Sequence, residues 1–278
     1  MTYRDILVQI DEKPASQARA EGAAALASHA KAKLTGVFLK SNFLKTYTGM
    51  ATFTDIPPLN LNDMIQKHAT AVGRASEAAR AVFEQAAARV GVESEWAEID
   101  GDDSKALIAH GRRCDLTVFP TAARACLGDH QSTAAGLAMA IGGPVLIVPE
   151  AGLSPTADER VLLAWNGSRE AARALRDAMP LLTRAKQAFV LIVSPEGAEG
   201  SEARLQRHLE RHGAKAEVIV DRSADSQAGD ILRRQVKALD IGILAMGVYG
   251  RSRLEESILG GVSREMTEAP PCGLLISH

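Results

Sequence analysis

At 278 residues, with 46% hydrophobic, 24% charged and only 4% aromatic side chains, the chain has the balance of a folded globular protein built on aliphatic packing. A formal net charge of −2 leaves no basic footprint for nucleic acid or an anionic membrane surface. No apolar run approaches the ~18 residues of a membrane span, and the opening "MTYRDILVQID" is not a signal peptide. Cys114, Cys126 and Cys272 form neither an even framework nor a CxxC pair, so buried thiols in a reducing cytoplasm are expected.

In chain order, "DILVQI" predicts a strand that ends at Asp11, followed by an Ala-rich helix and a second strand around "LTGVFL". A Thr/Pro/Asn-containing loop over 41–62 then leads into a helix over Met64–Val90. There Val72, Ala75, Ala79, Val82, Phe83 and Ala86 recur at helical spacing. A loop of that length reads as a lid, a partner surface or a solvated excursion. "LIAHGRRCDLTVFP" and "GPVLIVP" supply further helix–strand and strand signals before the Pro/Gly/acidic linker "PEAGLSPTADE".

After the linker the order repeats. "RVLLAWNGSREAARALRDAMPLLTRAKQAFVLIV" matches the opening, with Leu7 opposite Leu162 and Asp11 opposite Asn166, 155 residues on. "LRRQVKALDIGILA" matches "LIAHGRRCDLTVFP" with Asp115 opposite Asp240, 125 residues on, and "CGLLISH" at 272 matches "GPVLIVP" at 143. The first copy is thus expected to carry about 30 extra residues in its loop and long helix. Continuous apolar runs alternating with helices predict parallel sheets buried on both faces. Two α/β units follow, 1–150 and 158–278, each a doubly wound parallel sheet. In such sheets ligands sit beyond the carboxyl ends of the strands, where strand order reverses.

The most informative stretch is "MGVYGRSRLEESILGGVS", where a strand empties into Gly247 and Gly250 and a helix begins after Gly260–Gly261. Gly247, Gly250 and Gly260 have the spacing G-x-x-G, nine residues, G. On these residues the chain resembles a tandem universal stress protein, over nearly all of its length. The resemblance implies an adenine nucleotide alpha-hydrolase-like fold in each unit, with the units paired as a pseudo-dimer through their last strands. It also implies ATP or AMP held by Asn166, Gly247, Gly250, Gly260, Gly261, Val262 and Ser263. Backbone N–H groups at a helix N-terminus cradle an anion.

Two departures stand in this copy. Gly261 replaces the family's Ser or Thr after the third glycine, and Asn166 replaces its strand-one Asp, so Mg²⁺ is expected to bind weakly if at all. The first copy keeps Asp11, a possible second site. It has no G-x-x-G: Gly128 is isolated, and Gln131–Ser132 stands where the glycine pair would be. Its nucleotide site is read as degenerate.

Other chemistry is sparse. There is no Walker loop, no G-x-G-x-x-G, no HExxH and no G-x-S-x-G. His208 and His212 lie one helical turn apart on a polar, Arg-rich face, Ser168 reads as a helix N-cap, and Trp96 and Trp165 read as packing residues. The expectation is a cytoplasmic stress-response protein that binds an adenine nucleotide in its second unit without efficient catalysis. Alternatives are a ligand-free dimerising scaffold that meets an unidentified protein partner, and a slow ATPase. A homodimer of the tandem chain is a further possibility, with neither nucleic acid nor membrane as a partner.

Overall fold

The computed structural model describes residues 2–41, 58–100, 104–121, 134–195, 201–224, 227–248 and 261–278. The first five strands are β1 (Asp5–Gln9), β2 (Lys33–Lys40), β3 (Ser94–Asp100), β4 (Leu116–Pro120) and β5 (Val145–Val148). With them run helices α1 (Ala15–Ala30), α2 (Pro58–Val90), α3 (Ser104–Gly111) and α4 (Ala134–Ile141). The remaining strands are β6 (Arg160–Trp165), β7 (Gln187–Val193), β8 (Ala216–Asp221), β9 (Ile243–Gly247) and β10 (Gly273–Ser277). Their helices are α5 (Arg169–Leu182), α6 (Ser201–Arg211), α7 (Ala228–Ala238) and α8 (Gly261–Glu268).

All ten strands join one sheet in the order β3-β2-β1-β4-β5-β10-β9-β6-β7-β8. Pairing is parallel within β1–β5 and within β6–β10. The two last strands, β5 and β10, meet antiparallel with Leu275 opposite Leu146. Each covers what would otherwise be the other's open edge. Antiparallel joining also puts the carboxyl ends of the two parallel sets on opposite edges of the sheet. Chain order reverses between β1 and β4, and again between β6 and β9, so each half has its own switch point.

Alternation along the strands builds a core on each side. Ile6, Val8, Val161, Leu163, Ala245 and Leu275 face one layer. Leu7, Leu162, Leu244, Leu274 and Ile276 face the other. The first layer is closed by α1, α2, α5 and α6, the second by α3, α4, α7 and α8. Ala79, Phe83 and Ala86 of α2 are buried, and Val72, Ala75 and Val82 pack beside them, as their spacing predicts. That helix begins at Pro58, six residues before the expected Met64, because nothing in "PLNLND" breaks it and Pro is tolerated in a first turn. The preceding 42–57 lie outside the described residues.

The repeat register needs one correction. Asp115 N donates to Asp5 O at 2.8 Å, and the matching bond in the other half runs from Gly242 N to Arg160 O at 3.0 Å. Gly242, not Asp240, is therefore the counterpart of Asp115. The two Asp residues match in type but not in role: Asp115 caps the backbone N–H groups of Arg4 and Asp5, whereas Asp240 takes a left-handed turn at φ 52°. The remaining two matches hold in the strand pairing: Ile6 pairs Leu116 as Val161 pairs Ile243, and Thr117 pairs Val145 as Leu244 pairs Leu274.

The linker is part of the core rather than a tether. Leu153 is 4% exposed and wedges between Gly22 of α1 and Gly273 of β10, where an added Cβ would lie 2.6 and 2.9 Å from it. Asp158, also buried, is held by Arg184 Nη2 at 2.8 Å and by His29 Nδ1 at 3.1 Å, so one carboxylate ties α1 to the end of α5. Tyr3 adds a bond across the seam, its hydroxyl donating to Asp177 O at 2.6 Å.

Candidate functional site

In the second half, β6 ends at Trp165 and the chain turns through Asn166 and Gly167 into α5. Gly167 has φ 73°, a conformation that suits glycine. Asn166 Oδ1 accepts from Ser168 N at 3.1 Å, and its side chain is otherwise open to solvent. Ser168 caps α5 as expected, its Oγ accepting from Ala171 N at 3.1 Å. Trp165 is half-buried against the core.

Beside Asn166, β9 ends at Gly247, and α8 begins at Gly261. The two glycines differ. A Cβ at Gly247 would lie 2.4 Å from Glu170 C and 2.6 Å from Ala171 N, so this glycine lets the first turn of α5 rest directly on the strand end. At Gly261 an added Cβ would meet nothing within 4 Å among the described residues. Val262 packs partly into the second-layer core, while Ser263 is half-buried on the first turn of α8. Helix α8 is held by Arg233, which donates to Glu265 Oε1 at 2.9 Å and to Ala269 O at 3.0 Å. Gly250 and Gly260 lie outside the described residues, as do Cys126, Gly128, Gln131 and Ser132.

Two polar side chains at this edge escaped the sequence reading. Glu170, 7% exposed, sits in the first turn of α5 against Gly247 and is paired with Arg169 at 3.1 Å. Ser277, paired in register with Gly247, is 1% exposed and its hydroxyl has no hydrogen-bond partner among the described residues. The burial of Glu170 was legible only weakly, because an acidic residue after an N-cap is ordinary capping chemistry.

The matching corner of the first half is built differently. Asp11 is 11% exposed and Arg19 only 2%, and they pair at 3.4 Å. Arg19 Nη2 donates to Ser16 Oγ and Nε to Gln9 O, both at 2.7 Å. Ser16 Oγ donates to Asp11 Oδ1, which also accepts from Lys13 N at 3.1 Å. Asp11 is present at the strand end, as expected, but its oxygens are engaged by the chain itself.

The remaining candidates behave as structural groups. His208 and His212 lie with ring centroids 4.6 Å apart and planes tilted by 54° on an exposed face. Among the described residues no three His, Cys, Asp or Glu side chains converge to hold a metal. Burial pushes the Cys114 thiol up to about 11 and the Cys272 thiol up to about 12. Trp96 packs against Phe83 and Phe38 at centroid distances of 5.5 and 6.5 Å. No helix among the described residues is long and apolar enough to cross a membrane.

The architecture has counterparts among known structures. A universal stress protein from Archaeoglobus fulgidus DSM 4304 superposes with a TM-score of 0.69 at 14% identity, covering 98% of this chain and 97% of that one. A functionally unknown protein from Pseudomonas aeruginosa PAO1 gives a TM-score of 0.56 at 15% identity, covering 99% and 92%. At such identities the likeness is one of fold. No curated protein matches the chain. The sequence model of the Universal stress protein family matches residues 2–149, more than half of the chain. That match falls on the half with the engaged Asp11, and the glycine spacing lies in the other. The chain belongs to the universal stress protein family.

Proposed function

We propose that the chain comprises two units, 1–150 and 158–278, and that the second holds one adenine nucleotide, ATP or AMP, without efficient turnover. The observation that carries this reading is the contrast between the two switch points. Beside β6 and β9, Asn166 is exposed and Gly261 opens a helix where an added Cβ would meet none of the described residues within 4 Å. Beside β1, the corresponding Asp11 is enclosed by Ser16, Lys13 and Arg19. What supports a phosphate there is Gly261, which leaves room for close approach, together with the N–H groups at the start of α8, while Gly247 seats the first turn of α5. Gly250 and Gly260 complete the spacing in the sequence.

Asn166 accepts a hydrogen bond from a ribose hydroxyl but is a poor cation ligand, so binding is only weakly dependent on Mg²⁺. In this reading the first unit is a partner that covers the edge strand β10, giving a pseudo-dimer within one chain. The protein then acts in the cytoplasm as a stress-response binding module.

Denaturing the purified chain and weighing any released nucleotide, followed by calorimetric titration with ATP and AMP, tests the proposal. Binding at one site per chain, lost in Gly250→Val and Gly260→Val variants that still fold, is the expected result. No bound nucleotide and no heat with either ligand would favour a ligand-free scaffold. Sustained, rapid phosphate release would favour an ATPase.

A further inference from the structure

We propose that Arg19 is a resident cation of the first half, occupying an oxygen donor set that closes this strand end to exogenous metal ions. The donors include the Gln9 carbonyl, the Ser16 hydroxyl and the Asp11 carboxylate, at 2.7, 2.7 and 3.4 Å from guanidinium nitrogens. A carbonyl, a hydroxyl and a carboxylate gathered around one guanidinium are the ligand types hard divalent cations take. Here the point is filled by a side chain that is always protonated and is 2% exposed. Ser16 is saturated: its Oγ accepts from Arg19 and from Asp11 N at 3.0 Å, and donates to Asp11 Oδ1.

The internal repeat provides a natural triple substitution. The positions of Asp11, Ser16 and Arg19 in the first half are taken by Asn166, Ala171 and Ala174 in the second. Ala174 is fully buried and Ala171 is 3% exposed. Where the strand-end group is a carboxylate, a buried guanidinium accompanies it; where it is a neutral amide, the guanidinium is absent and the hydroxyl with it. Packing alone does not demand Arg at this depth, since the second half fills the same place with Ala. Charge compensation does: an unpaired carboxylate at this burial carries a desolvation cost that a fixed cation offsets. The inference concerns the first half alone and does not depend on nucleotide binding in the second.

Mn²⁺ alone, followed by water-proton relaxation and calorimetry on the full chain, is the probe. The parent is expected to show no Mn²⁺ site that Asp11→Asn removes. Arg19→Met, which keeps an aliphatic stem, should gain one with a Kd on the order of 10⁻³ M, the weak end for oxygen-donor sites. The double variant Asp11→Asn/Arg19→Met should lose it again. Melting temperature provides a second readout: each single variant should fall below the parent, and the double should recover at least part of the loss. If Arg19→Met does not fold, recovery of folding in the double variant carries the same conclusion. A folded Arg19→Met that binds Mn²⁺ no better than the parent would overturn the proposal. So would a double variant no more stable than the worse single.

Discussion

Gly247 and Gly261 belong to one glycine-rich stretch, yet only at Gly247 should replacement by Ala cost stability. A Cβ at Gly247 falls 2.4 Å from the carbonyl carbon of Glu170, against a closest ordinary contact of about 3.4 Å, so the first turn of α5 must retreat by roughly 1 Å. That turn has little freedom. It is capped by Ser168, and Ala174 and Ala178, one and two turns on, are fully buried against the sheet. Overpacking against backbone costs about 2–3 kcal/mol, which for a chain of this size lowers the melting temperature by roughly 5 °C. Gly261→Ala meets no neighbour among the described residues and removes backbone freedom from the unfolded chain, so it should be neutral or stabilising by up to about 1 kcal/mol. Thermal and urea unfolding of both variants, without nucleotide, is the assay. A Gly247→Ala protein that melts within about a degree of the parent would refute the packing role assigned to this glycine.

Three other outcomes follow from the geometry. Gly261→Ser should tighten ATP binding by about 1 kcal/mol, a typical net hydrogen bond, in calorimetric titration; an unchanged or weaker affinity would count against a phosphate at the start of α8. Asp158→Asn should destabilise by about 2–3 kcal/mol, somewhat below a fully buried pair because Arg184 is 26% exposed; equilibrium unfolding measures it. Since burial raises the Cys272 thiol to about 12, only about one molecule in ten thousand carries the thiolate at pH 8. Alkylation at this residue, followed by peptide mass, should therefore be slow in the native protein, accelerate as pH rises, and become fast on unfolding.

Local signals determined much of this protein. The runs "DILVQI", "VLLAW", "FVLIV" and "VLIV" announce buried parallel strands because both faces of each are apolar. The duplicated order of strands and helices predicts two half-sheets, and Ser168 is recognisable as a cap from its neighbours alone. The family was legible from three glycines and their spacing, a pattern set by short-range backbone geometry. What tertiary structure decided is which groups meet once the elements pack. Asp11 and Arg19 are eight positions apart in sequence, but only the burial of α1 against β1 turns them into an enclosed ion pair. Leu153 and Asp158 look like linker composition until Gly22, Gly273, His29 and Arg184 converge on them. Gly247 carries the glycine spacing in sequence, and only the fold shows that it also seats the first turn of a helix 77 residues earlier in the chain. Periodicity and propensity report how a segment meets a generic core. Which individual groups meet there depends on how the two halves pack, and that is set by the antiparallel joining of β5 and β10.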